Sequence, residues 1–221
     1  MLNEITKYNQ KYAFKKVNIK NPDSILKNNI KGGVITFLHF GGFFLSGLAL
    51  IEILKIKYTA VASNNNLKFL TKEESEFWQS VHKKMSTLYS KELFFTNEHP
   101  RNLIKWLNQD GYLGVAMDVI EEGKKNKLTA FKFLNQNIYL QTGAARLARI
   151  TKKPLISMTI RYSPLLRKHS IILGEPKYVE NEIISTQDVL NEMELHIKGF
   201  EYQFFHDILS LFKLENTNNY K

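Results

Sequence analysis

Apolar and polar positions follow two alternating periods along this chain. The longest apolar run, Gly33 to Ile51 (GVITFLHFGGFFLSGLALI), holds nineteen residues with only Thr36, His39 and Ser46 polar, close to the length that crosses a bilayer. Its texture changes midway. Val34 to Phe40 is β-branched and aromatic, Gly41 and Gly42 interrupt it, and Phe43 to Lys55 has the make-up of a helix. A buried strand, a glycine turn and a buried helix account for all of this together, because glycine permits the tight turn and a parallel strand is covered on both faces. Strand, turn and helix are therefore the expectation, rather than a membrane span.

The remainder alternates in the same way. Lys57 to Ala62 reads as a strand, Asn64-Asn65-Asn66 as a turn, and Thr71 with Glu74 three residues later as a capping box opening a helix that carries Phe77, Val81, Met85 and Leu88 on one face. Leu93 to Thr96 is a short strand, His99 to Gln109 a helix, Tyr112 to Val119 a buried strand and Gln141 to Ile150 a helix. Leu155 to Arg161 and Ser170 to Leu173 complete the strands, and Thr186 to Leu214 is helical with a break at Gly199. Strands alternating with helices predict an α/β fold, a single domain with a mainly parallel central sheet flanked by helices.

Composition narrows the chemistry. The chain has 221 residues, 43% hydrophobic and 24% charged, with 5 Pro and 11 Gly, an ordinary globular balance. With no cysteine, it has no disulfide framework, thiolate metal site, iron–sulfur cluster or cysteine nucleophile. His82, His99, His169, His196 and His206 show no metal-ligand spacing, and no metal site is expected. Gly111-x-x-Gly114 precedes no phosphate-binding helix and reads as a strand-entry turn.

Charge points to anionic partners. The net charge is +10, and the excess is clustered: +5 over residues 1–31, +3 over 32–145, +7 over 146–177 and −5 over 178–221. Nucleic acid, an anionic membrane or an acidic carrier protein would each suit such clusters. No motif that reads nucleic acid is visible, which makes that partner the least favoured.

In open α/β sheets ligands gather at the carboxyl ends of strands, and His39 and Asp118 are predicted to end buried strands there. A histidine in an apolar run can equally be structural, and Asp118 can equally cap the loop that follows. Arg146 and Arg149 lie at i, i+3 on one side of a predicted helix, placed to clamp phosphate or to face solvent.

LHFGG, NLIKWLNQDGYLGVAMDV, FLNQNIYLQTGAARLARITKKPLISMTIRY and HIKGFEYQFFHDI follow one another in an order that resembles the lipid A biosynthesis (late) acyltransferases of the lysophospholipid acyltransferase superfamily. The resemblance covers roughly residues 32–213 and implies a glycerolipid-acyltransferase-like domain over 32–214, between a basic, solvated N-terminal arm (1–31) and a polar tail (215–221). It implies transfer of a fatty acyl chain from acyl carrier protein or acyl-CoA, as co-substrate, to a hydroxyl or amine of a glycolipid or related acceptor. His39 would be the general base, with Asp118 a second catalytic candidate. Gly41 and Gly42 would let substrate approach the backbone, and Arg146, Arg149 and Arg161 would bind substrate phosphate. No cofactor is implied.

The chain departs from the family pattern at important points. Family members place a carboxylate five positions after the histidine, where this chain has Phe44, a ring that can neither accept the imidazole N–H nor stabilise its charge. Water, Asp118 or a backbone carbonyl would then have to orient His39. The basic residue expected after the second strand is replaced by Ala62-Ser63-Asn64, and the aromatic-aromatic-Gly motif by Phe133-Leu134-Asn135. The family's membrane anchor has no counterpart ahead of His39. The expectation is thus a cytoplasmic protein, peripheral on the inner face of the membrane and held to anionic lipid by basic residues and exposed aromatics. Phe44 also motivates the alternative of a degenerate homologue that binds an acyl chain or carrier protein without turnover.

Overall fold

In the computed structural model, which describes residues 10–26, 30–63, 71–119 and 128–204, the apolar run divides where its texture changes. The chain opens with α1 (Gln10–Lys16), β1 (Val17–Lys20) and a short α2 (Asp23–Leu26). The apolar run becomes β2 (Gly33–Phe37), with all five residues buried, and α3 (Phe43–Leu54). Next come β3 (Tyr58–Ala62), α4 (Lys72–Leu88), β4 (Phe94–Phe95), α5 (Arg101–Asn108) and β5 (Tyr112–Ala116). A hairpin of β6 (Thr129–Phe133) and β7 (Gln136–Leu140) precedes α6 (Gly143–Thr151), β8 (Leu155–Ser163), β9 (Lys168–Leu173), α7 (Glu182–Ile197) and a 3-10 turn at Glu201–Gln203.

Seven strands form one sheet in the order β1-β9-β8-β2-β5-β3-β4. Every neighbouring pair is parallel except β8 and β9, so the sheet is mixed but mostly parallel. Alternation along the strands sends residues to two separate cores. Ile35, Tyr112 and Ile156 face a core shared with α1, α3 and α4, whereas Val34, Leu113 and Leu155 face one shared with α5, α6, α7 and the β6–β7 hairpin. Inside the sheet, the Thr36 hydroxyl donates to the Val115 carbonyl at 3.0 Å, so this buried polar group is satisfied across the β2–β5 pair.

Local chemistry explains the element ends. Thr71 accepts from the Glu74 N–H and the Glu74 carboxylate accepts from the Thr71 N–H, the reciprocal capping box read in the sequence. Among the described residues, no helix is long and apolar enough to cross a membrane.

Two expectations need correction, and one element is new. The solvated N-terminal arm does not hold over residues 10–26: β1 pairs in parallel with β9, and Ala13, Val17 and Ile25 are buried in the core. Those apolar positions sit among lysines, which hid them in a charge count. The β6–β7 hairpin was not anticipated; its two-residue turn places Leu134 and Asn135 at φ 49° and 61°, the mirror-image geometry that suits a tight hairpin. The final helix begins earlier than expected, capped by Asn181, which accepts from the N–H groups of Ile183 and Ile184, and ends at Ile197. The Asn64-Asn65-Asn66 turn, the helical reading beyond residue 204 and the polar tail lie outside the described residues.

Candidate active site

β2 and β5 run in parallel with Phe37 opposite Ala116, and both release the chain at the same edge of the sheet. His39 follows β2 and Asp118 follows β5, so the register alone brings them together. The Nδ1 atom of His39 lies 2.7 Å from Oδ1 of Asp118, and the backbone N–H of His39 donates to Oδ2 at 2.6 Å. A carboxylate only accepts, so Nδ1 carries the proton and Nε2 is the basic nitrogen of the neutral ring. The Asp118 side chain is 3% exposed and that of His39 27%, an arrangement with a sheltered acid and an accessible base.

The imidazole is walled by aromatic rings. Phe43 meets it edge-on at 4.5 Å between centroids, and Phe37 at 6.3 Å. Phe44 does not lie at the imidazole; its ring is tilted against Phe43 at 3.8 Å, lies 5.4 Å from the Trp78 ring and is buried in the core. The carboxylate at the imidazole comes instead from the segment that follows β5.

Gly41 and Gly42 are spoken for by protein. Gly41 has φ 59°, and a Cβ there would run into the Ile160 carbonyl; a Cβ on Gly42 would lie 2.6 Å from Nδ1 of His169. Their smallness lets the turn pack against β8 and β9, which differs from the expected approach of substrate.

The arginines occupy other positions. Arg146 and Arg149 both reach Glu182 on α7, at 3.4 and 2.9 Å, and the Thr142 hydroxyl donates to the same carboxylate. Burial acts to raise the Glu182 carboxyl, but the hydrogen bond from Arg149 and the charge of Arg146 outweigh it and hold it below the ordinary value. A phosphate at these arginines would therefore compete with Glu182. Arg161 stacks its guanidinium over Phe200 at 4.4 Å.

A feature absent from the sequence reading lies beside the dyad. A cavity of about 130 Å³ is lined by the ends of β3 and β5, by Thr96, and by the β7–α6 junction. Met117 and Val119, the neighbours of Asp118, form part of its wall. Ser63 Oγ, Thr96 Oγ1 and Gln141 Nε2 also belong to lining residues, and each is buried without a protein hydrogen-bond partner among the described residues. Buried polar groups are normally paired, so three such atoms clustered in the wall of one mostly apolar cavity set this place apart from the rest of the interior. Three separate loops supply them, and no spacing in the chain announces them.

The site can hold a proton acceptor in a fixed tautomer near a small, mostly apolar recess at the carboxyl ends of parallel strands. Among the described residues, no cluster of His, Asp and Glu is arranged to hold a metal ion. The chain matches no protein-family model and no curated protein sequence.

Proposed function

We propose that this protein is an acyltransferase that moves a fatty acyl chain from an acyl carrier protein or acyl-CoA thioester to a hydroxyl, or amine, of a glycolipid or related acceptor. The single observation that carries this reading is the His39–Asp118 pair, bonded at 2.7 Å on the edge of the sheet where α/β folds bind ligands. The family resemblance supplies the reaction class, and the pair supplies the orienting acid that Phe44 cannot.

In this reaction Nε2 of His39 removes the acceptor proton as the acceptor oxygen attacks the thioester carbonyl. Asp118 holds the ring and stabilises the imidazolium that forms. The tetrahedral intermediate collapses with cleavage of the C–S bond, and the imidazolium returns its proton to the departing thiolate. No redox change occurs. The mostly apolar recess that Ser63, Thr96 and Gln141 help to line is suited to a small part of the bound substrate. The protein works at the cytoplasmic face of a membrane, where lipid acceptors lie.

The test is acyl transfer by the purified protein from long-chain acyl carrier protein or acyl-CoA to a glycolipid acceptor. Transfer that falls to background in His39→Ala supports the reading. No transfer above that background from any long-chain donor would leave the second reading, a non-catalytic binder of acyl chain or carrier protein, motivated by Phe44 in place of the family carboxylate.

A further inference from the structure

β8 outruns its parallel neighbour. Val34 and Thr36 of β2 pair with Leu155 and Ser157, and β2 ends at Phe37, whereas β8 continues to Ser163 and turns back into β9. The Ile160 carbonyl lies against Gly41, so the strand passes the His39 turn and then extends by several more residues, roughly 10 Å at 3.3 Å per residue. The β8–β9 hairpin thus projects from the sheet edge that carries His39 and Asp118.

Its tip has an unusual composition for an exposed turn. Gly, Pro, Asn, Asp and Ser usually occupy such places, but here Pro164 is followed by Leu165-Leu166-Arg167. Leu165 is 93% and Leu166 67% exposed, in a turn ordered by the Arg167 N–H donating to the Pro164 carbonyl at 3.3 Å. Arg167 and Lys168 follow the leucines directly, and residues 155–174 contain no acidic side chain. At the base of the arm Gln203 accepts from the Tyr162 N–H and donates to the Tyr162 carbonyl, which brings the 69% exposed Tyr202 alongside.

We infer that the β8–β9 hairpin tip is a membrane-docking element: Leu165 and Leu166 enter the interface of an anionic bilayer while Arg167 and Lys168 engage its headgroups. Apolar side chains with cations directly beside them match the two layers of an anionic lipid surface, acyl boundary below and negative charge above. An acidic carrier protein would satisfy the cations and leave the leucines in water. Docking through this arm turns the dyad edge of the sheet toward the bilayer. The inference deepens the membrane-facing part of the proposed function, and its test needs no turnover.

The experiment is sedimentation of the full chain with vesicles of phosphatidylcholine, with and without phosphatidylglycerol, comparing wild type, Leu165→Ser/Leu166→Ser, and Asp118→Asn. The expected result is binding to the anionic vesicles that weakens with salt, falls about tenfold or more in the double variant and is unchanged in Asp118→Asn. A Leu165→Trp variant should show blue-shifted emission on anionic vesicles and quenching by brominated lipid. Equal vesicle binding by wild type and the double variant, with no Trp shift, overturns the inference. So does a double variant that loses self-association or carrier-protein binding while wild type ignores vesicles. An inactive protein that still docks through the leucines would sink the transferase reading and leave this one standing.

Discussion

Asp118 holds His39 at two points: one oxygen meets the ring Nδ1 at 2.7 Å, and the other accepts the backbone N–H of the same residue at 2.6 Å. The second bond ties the acid to the main chain that carries the base, so the imidazole has both its tautomer and its orientation set by one carboxylate. Replacing Asp118 by Asn keeps the shape but offers the ring an amide that does not balance a positive charge. Asp118→Asn should retain its fold by circular dichroism while the initial rate of acyl transfer falls by about four orders of magnitude.

Placing a carboxylate at position 44 is expected to harm the protein. Phe44 is 6% exposed and packs between Phe43 and Trp78, so Phe44→Glu removes a core ring and buries a carboxyl among aromatics. Loss of about 3–5 kcal/mol is expected by urea denaturation, with no gain in transfer, because Asp118 already occupies Nδ1. A large rise in activity would show that Asp118 does not serve as the orienting acid.

The recess beside the dyad should trade stability against function. Thr96 Oγ1 is buried with no hydrogen-bond partner among the described residues, so Thr96→Val removes a desolvated hydroxyl at nearly constant volume. Thermal or urea unfolding should show a gain of about 1 kcal/mol, while kcat/KM for transfer drops. Gln141→Leu is expected to behave alike. Unchanged transfer in both variants would detach the recess from the reaction.

Glu182 gives the fold an acid-sensitive latch between α6 and α7. Its carboxyl lies below the ordinary value of 4.5, so the folded state favours the ionised form. A depressed carboxyl contributes stability that is present above the unfolded-state pKa and is lost as pH falls through the folded value. The stability difference between wild type and Glu182→Gln should therefore be largest near neutrality and shrink at acid pH, measured as Tm from about pH 7 to pH 3. A difference that stays constant across this range would mean that the ion pairs with Arg146 and Arg149 contribute nothing.

The legible parts of the molecule were those in which neighbours along the chain interact. The change of texture at Gly41-Gly42 announced β2 and α3, and Thr71 with Glu74 announced α4, because period and capping are local properties. β1 was hidden because its four residues, Val17–Lys20, end in a lysine and depend on pairing with β9, about 150 residues away, to become a strand. His39 and Asp118 were each visible as strand-end polar residues, but their bond spans 79 positions and emerges only from the β2–β5 register. The orphaned atoms of Ser63, Thr96 and Gln141 were invisible for the same reason: burial without a partner is a property of three loops together.

Placing Asp118 after β5, rather than a carboxylate at position 44 of α3, has a consequence for how the pair assembles. Residues five positions apart can meet in a partly folded chain, whereas His39 and Asp118 meet only when β2 lies beside β5 with Phe37 opposite Ala116. A slip of one residue would turn every side chain of the strand to the opposite face. The hydrogen bond at His39 therefore exists only in the correct register at the centre of the sheet, and the pair is a reporter of native strand pairing.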